Sequence, residues 1–105
     1  MKKLSGAITA LATPFKKDGS IDVSALKGLV KFQLSGGIDG IVPCGSTGEA
    51  ATMNNEEYQL VIKTVVEEAR GRVPIIAGAG SNDTAKAIKL SQLAKEAGAD
   101  GLLHV

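Results

Sequence analysis

Gly37-Ile38-Asp39-Gly40-Ile41-Val42 and Gly98-Ala99-Asp100-Gly101-Leu102-Leu103 share one pattern, Gly-apolar-Asp-Gly-apolar-apolar, at two places in the chain. In each copy a glycine that can end a helix is followed by an acid and a short apolar run of strand type. The copies stand about two βα units apart, which is the trace a quasi-repeating α/β barrel leaves in its sequence. A doubly wound sheet has the same order of elements, so the echo favours a barrel and leaves the doubly wound alternative open.

Outward from this pattern the rest of the chain divides regularly. Ala7 to Ala12 reads as a short apolar strand closed by Thr13-Pro14, because proline cannot donate to a ladder. After the turn residues Lys16-Lys17-Asp18-Gly19-Ser20, Asp22 caps a helix over about residues 23–35 with apolar positions Leu26, Leu29, Val30 and Leu34, ended by Gly36-Gly37. A strand over Ile38 to Cys44 feeds the loop Gly45-Ser46-Thr47-Gly48-Glu49. Asn54 with Glu57 forms a capping box, and Tyr58, Val61, Ile62, Val65, Val66 and Ala69 recur at helical spacing up to Gly71. Val73 to Ala77 is a third strand, followed by a second glycine-rich loop, Gly78 to Asp83. Asp83 or Asn82 caps a third helix whose buried face carries Ala87, Leu90, Ala94 and Ala97, and Ala99 to Val105 opens a fourth strand. The order is βαβαβαβ, with strand starts roughly 30 residues apart, as right-handed crossovers and a parallel sheet require.

The 105 residues fit one domain, and 44% apolar with 22% charged residues is the composition of a globular chain. A formal charge of +1 excludes the basic field needed for nucleic acid or anionic lipid. Apolar runs are short, and Met1-Lys2-Lys3-Leu4 leads into Ser5-Gly6, so neither a signal peptide nor a membrane span is expected and the cytoplasm is the expected location. The single Cys44 has no disulfide partner, and His104 is too distant in sequence to share metal-ligand spacing with it, so no metal is expected. Cys44 reads as a small buried residue at a strand end, and Tyr58 as a packing residue on a helix face. A complete barrel of eight βα units needs about 250 residues. About three and a half units ending inside a strand read as a partial barrel domain over residues 1–105, a piece of a longer polypeptide with open edges that favour association.

Chemistry in parallel α/β folds gathers beyond the C-terminal ends of the strands. There the loop Gly45-Ser46-Thr47-Gly48-Glu49 sets two hydroxyls between two glycines, so that amides and side-chain oxygens converge on a carboxylate or phosphate; a tight, polar-capped βα turn is the plainer reading. Glu49 has two readings, a general acid or base and a carboxylate that ties the loop together, and the second fits a lone acid better. His104 has no partner in the sequence and reads as passive.

Thr13-Pro14-Phe15, Asp18-Gly19, Gly37-Ile38-Asp39-Gly40-Ile41, Val42-Pro43-Cys44-Gly45-Ser46-Thr47-Gly48-Glu49, Val73-Pro74-Ile75-Ile76-Ala77-Gly78 and Gly98-Ala99-Asp100-Gly101 occur in order along the chain. In these motifs the chain resembles the N-terminal part of the dihydrodipicolinate synthase family, within the pyruvate-dependent class I aldolases that include N-acetylneuraminate lyase. Pro43-Cys44 before the loop and Ala51-Thr52-Met53-Asn54 after it look most like the synthase branch. The resemblance implies a (βα)8 TIM barrel, usually in a homotetramer, that binds pyruvate as a Schiff base on a lysine of the sixth strand. The enamine then attacks aspartate semialdehyde in diaminopimelate and lysine biosynthesis. By the resemblance, Thr47 holds the pyruvate carboxylate with backbone amides near Gly45 and Gly48, and Ser46 is the hydroxyl that relays protons between two tyrosines. Such a relay needs a group that donates and accepts at once.

Two positions depart from the synthase pattern. Synthases usually carry Thr where this chain has Ser46, and Gly-Ser-Thr-Gly-Glu is frequent in the neuraminate lyases; the serine keeps the hydroxyl and loses the methyl that restricts χ1. Feedback-regulated synthases bind lysine through an Asn and a Glu after the third strand, and here Asn82 matches while Lys86 replaces the Glu. By the resemblance, the Schiff-base lysine and the relay tyrosines come after Val105; none of the ten lysines falls on an expected strand, and the chain alone is expected to be inactive. No dissociable cofactor is expected. The alternatives are another pyruvate-dependent aldolase, of the N-acetylneuraminate lyase or keto-sugar-acid type, and a non-catalytic half-barrel that serves as an assembly piece.

Overall fold

Strands β1 (Ile8–Leu11) and β2 (Gly40–Pro43) run parallel, Ile8 opposite Gly40 and Leu11 opposite Pro43, in a computed structural model that describes residues 7–45, 53–80 and 83–103. Strands β3 (Ile76–Gly78) and β4 (Gly101–Leu103) form a second parallel pair, with Ile76 opposite Gly101. A parallel bridge between Ile41 and Ile75 joins the pairs, and the Ile41 N–H donates to the Pro74 carbonyl at 3.1 Å. The strands therefore stand side by side in chain order. A doubly wound sheet reverses its direction of growth at a switch point; one-directional growth through right-handed crossovers puts every helix on one face and curls toward closure. Helix α1 (Val23–Ser35) packs on α2 (Asn55–Ala69), and α2 on α3 (Thr84–Glu96), in a single layer. The chain is α/β and folds as the N-terminal part of a (βα)8 barrel.

The helix starts form as their sequences dictate. Asp22 accepts from the Ala25 N–H, and Asp83 accepts from the N–H groups of Ala85 and Lys86. Asn54 and Glu57 close a reciprocal capping box, at 2.8 and 3.0 Å. Each such cap stabilises its helix by about 1 kcal/mol.

The two copies of the repeated pattern perform the same two tasks. Gly37 and Gly98 sit at φ +79° and +99°, where L side chains are strained, and each closes a helix. The Gly37 N–H donates to Leu34 and the Ile38 N–H to Gln33; the Gly98 N–H donates to Lys95 and the Ala99 N–H to Ala94. This is the Schellman pair of bonds in both places. Each aspartate then clamps the preceding strand. Asp39 Oδ2 accepts from the Ala7 N–H at 2.9 Å while the Asp39 N–H donates to the Ala7 carbonyl at 2.7 Å. Asp100 Oδ2 accepts from the Ile75 N–H at 2.8 Å while the Asp100 N–H donates to the Ile75 carbonyl at 2.8 Å.

The strand register separates two faces. Leu11, Ile41, Ile75 and Ala77 lie on the helix side and are buried with Leu26, Val30, Tyr58, Ile62, Val65 and Leu90. Each large apolar side chain fully buried there contributes about 1.5–3 kcal/mol. On the other face, where a closed barrel has its interior, Ile8 is 46% and Leu103 40% exposed.

Several expectations need adjusting. The strands are shorter than their apolar runs, because a hydropathic run continues into residues outside the ladder. Gly78, expected in a loop, is the last residue of β3. Leu29 is 37% exposed, since it lies to one side of the Leu26, Val30 and Leu34 stripe that faces the core. On α3 the buried residues are Leu90, Leu93 and Ala94, while Ala87 and Ala97 are half-buried.

Candidate functional site

The C-terminal ends of β2 and β3 meet closely. Cys44 follows β2, is buried, and adopts the left-handed conformation at φ +56°. Its backbone presses on Gly78 at the end of β3: a Cβ on Gly78 would overlap the Cys44 carbonyl oxygen and lie 2.8 Å from the Gly45 Cα. Glycine is therefore required at 78 for the two strand ends to approach. Gly45 itself is half-buried, and a Cβ there would sit 2.9 Å from Val42 Cγ1.

Helix α2 reaches the same place. Tyr58 is fully buried, and its hydroxyl donates to the Gly78 carbonyl at 2.7 Å. Burial pushes the Tyr58 phenol well above its ordinary range, and the neighbouring Cys44 adds to the shift, so the group stays a neutral donor. The packing role expected of Tyr58 holds, and the hydroxyl adds a polar one. Neither the bond nor the need for Gly78 was evident in the sequence. A glycine directly after Ile75-Ile76-Ala77 was the available signal, since glycine at a strand end marks a close approach of backbone.

Cys44, the single cysteine of the chain, is buried, as its structural reading expects. Gly45 is the one residue of the expected pyruvate loop that the structure describes; Ser46, Thr47, Gly48 and Glu49 lie outside the described residues, as do Asn82 and His104. Lys86 is half-buried in the first turn of α3, its backbone N–H 3.3 Å from Asp83 Oδ1. Among the described residues no cluster of three or more His, Cys, Asp or Glu side chains is placed to hold a metal ion. No helix among them is long and apolar enough to cross a membrane.

Comparison with known proteins matches this arrangement to one group. The 4-hydroxy-tetrahydrodipicolinate synthase of Maridesulfovibrio salexigens is 60% identical over 100 residues, which are 95% of this chain and 34% of that protein. The crystal structure of dihydrodipicolinate synthase from Aquifex aeolicus superposes with a TM-score of 0.87 at 46% identity, over 96% of this chain and 34% of that one. The chloride-inhibited dihydrodipicolinate synthase from Acinetobacter baumannii, solved with pyruvate, gives 0.90 at 44% identity, over 97% of this chain and 35% of that one. The chain thus spans about a third of the length of the relatives it matches. The model of the dihydrodipicolinate synthetase family matches residues 3–105. With nearly the whole chain matched, and with consecutive parallel strands meeting at a glycine-packed C-terminal end, the chain belongs to the dihydrodipicolinate synthetase family.

Proposed function

We propose that the chain is the N-terminal part of a 4-hydroxy-tetrahydrodipicolinate synthase, a lyase that condenses pyruvate with aspartate semialdehyde. The observation that carries this reading is the 60% identity to the Maridesulfovibrio synthase. In it Thr47, with amides near Gly45 and Gly48, holds the pyruvate carboxylate, and Ser46 relays protons during condensation. A hydroxyl and converging amides suit a carboxylate because hydrogen bonds to a charged group are the strong ones.

The Schiff-base lysine comes from outside this chain. A lysine must lose its proton in a shielded site to attack a ketone. The described lysines instead lie on the outer helices or in the loop after β1. The chain by itself is then inactive, and the whole enzyme is a cytoplasmic homotetramer without dissociable cofactor. Lys86, in place of the carboxylate of lysine-sensitive members, makes it poorly inhibited by lysine. A pyruvate-dependent aldolase acting on a sugar aldehyde is the second reading, favoured only by Ser46.

The test joins this chain to the C-terminal two-thirds of the Maridesulfovibrio enzyme and treats it with pyruvate and borohydride. A reduced adduct on the fusion, none on the 105-residue chain, and turnover with aspartate semialdehyde are expected. An adduct on the chain alone, or a folded fusion that forms none, overturns the reading; turnover with a sugar aldehyde alone moves it to the second.

A further inference from the structure

Tyr58 has no surface exposure and spends its one donor on the Gly78 carbonyl at 2.7 Å. A phenylalanine would fill the same apolar space without a polar atom to satisfy, so packing alone does not call for the hydroxyl. The bond lands at the point where β3 touches the end of β2. The Gly78 Cα is pressed by the Cys44 backbone, and a Cβ there would lie 2.6 Å from the Cys44 carbonyl carbon and 2.8 Å from the Gly45 Cα. The Ala79 N–H, next along the chain, donates to the Leu103 carbonyl at 2.9 Å and carries the same anchorage to β4. Cys44 holds a left-handed conformation that a non-glycine residue keeps only when its surroundings impose it. Tyr58, Gly78 and Cys44 thus form one buried stack across α2, β3 and the end of β2.

We propose that Tyr58 is a positioning residue: through the Gly78 carbonyl its hydroxyl holds the backbone at Cys44 and Gly45, from which the segment bearing Ser46 and Thr47 departs, and so sets the affinity for the pyruvate carboxylate. The pyruvate part rests on the synthase reading above. The backbone part does not. A hydroxyl 2.7 Å from a buried carbonyl fixes both partners, because either one left unpaired away from water is costly. Loss of the donor frees β3's end to slide, and the left-handed Cys44 relaxes with it.

Three forms of the protein separate these roles: the unsubstituted chain, Tyr58→Phe, and Tyr58 replaced by 4-aminophenylalanine, which restores a donor at the same ring position. Amide exchange at Cys44, Gly45 and Ala79 is followed in the full 105-residue chain and in the fusion, and pyruvate and aspartate semialdehyde KM in the fusion. Tyr58→Phe is expected to speed exchange at these amides and to raise the pyruvate KM about tenfold, leaving the aspartate semialdehyde KM within about twofold. The amino variant is expected to recover most of both. Exchange and pyruvate KM unchanged in Tyr58→Phe, or a lowered thermal midpoint with both unchanged, overturns the proposal by reducing Tyr58 to packing. If the unsubstituted fusion forms no pyruvate adduct, the synthase reading fails, and the exchange measurements alone decide the backbone claim.

Discussion

The two ends of the strands are built by different means. At the N-terminal ends one device occurs twice: a left-handed glycine closes a helix, and an aspartate two residues later clamps the start of the preceding strand. At the C-terminal ends no such device recurs among the described residues. There a glycine without room for a side chain, a left-handed cysteine and a buried tyrosine hydroxyl converge on one spot. In barrels of this kind the N-terminal end serves stability and the C-terminal end carries chemistry. The stability task recurs, and the same residue types meet it in both copies, while the start of β3 is reached through a left-handed Arg70 and Gly71 without an aspartate; a binding task belongs to one loop and uses residues found once.

Substitutions at both ends test that division. The largest effect is expected from Gly78→Ala, whose new methyl would overlap the Cys44 carbonyl; forced backbone movement of this kind costs about 3 kcal/mol. Chemical denaturation of the fusion measures it, and a loss below about 1 kcal/mol would mean that the two strand ends do not meet as described.

Thr47→Val should weaken pyruvate binding by about 1.5–3 kcal/mol, the worth of a hydrogen bond to a charged group, with the unfolding midpoint unmoved. Ser46→Ala should instead lower turnover more than affinity, because proton transfer acts in the barrier. Were both to change only the pyruvate KM, the relay role of Ser46 would be wrong.

At the opposite end Asp100→Ala should cost about 1–3 kcal/mol of stability, because it orphans the N–H of the buried Ile75. Asp39→Ala, whose partner Ala7 is exposed and open to water, should cost about 0.5–1.5 kcal/mol. Pyruvate KM should be untouched in both. Equal losses from the two aspartates would show that burial of the partner does not govern the cost.

The smallest effect concerns the exposed turn after β1. The Ser20 hydroxyl donates to Asp18 Oδ1 at 2.6 Å and holds that carboxyl below its ordinary value, with the Ser20 backbone N–H assisting. A carboxyl with a depressed folded pKa stabilises above its unfolded pKa, and the contribution fades as pH falls through the folded value. Ser20→Ala should therefore raise the Asp18 titration midpoint, seen by NMR, and any stability difference should be present at neutral pH and vanish in acid. An unmoved midpoint would remove the hydroxyl as the cause.

The sequence by itself determined the local structure and the repeat. Asp22, the Asn54 and Glu57 pair, Asp83, Gly37 and Gly98 act on neighbours within a few residues, so their bonds depend only on spacing along the chain. The echo around Asp39 and Asp100 was legible for the same reason, although its meaning, a clamp on the preceding strand, needed the strands side by side. Only the tertiary structure decided between a barrel sector and a doubly wound sheet, because the single bridge from Ile41 to Ile75 sets the strand order and joins residues far apart in the chain. It alone also brought Tyr58 to Gly78 and Cys44. Helical periodicity records that a side chain is buried and carries no information about which carbonyl its hydroxyl meets, and that partner is supplied by a strand 20 residues away.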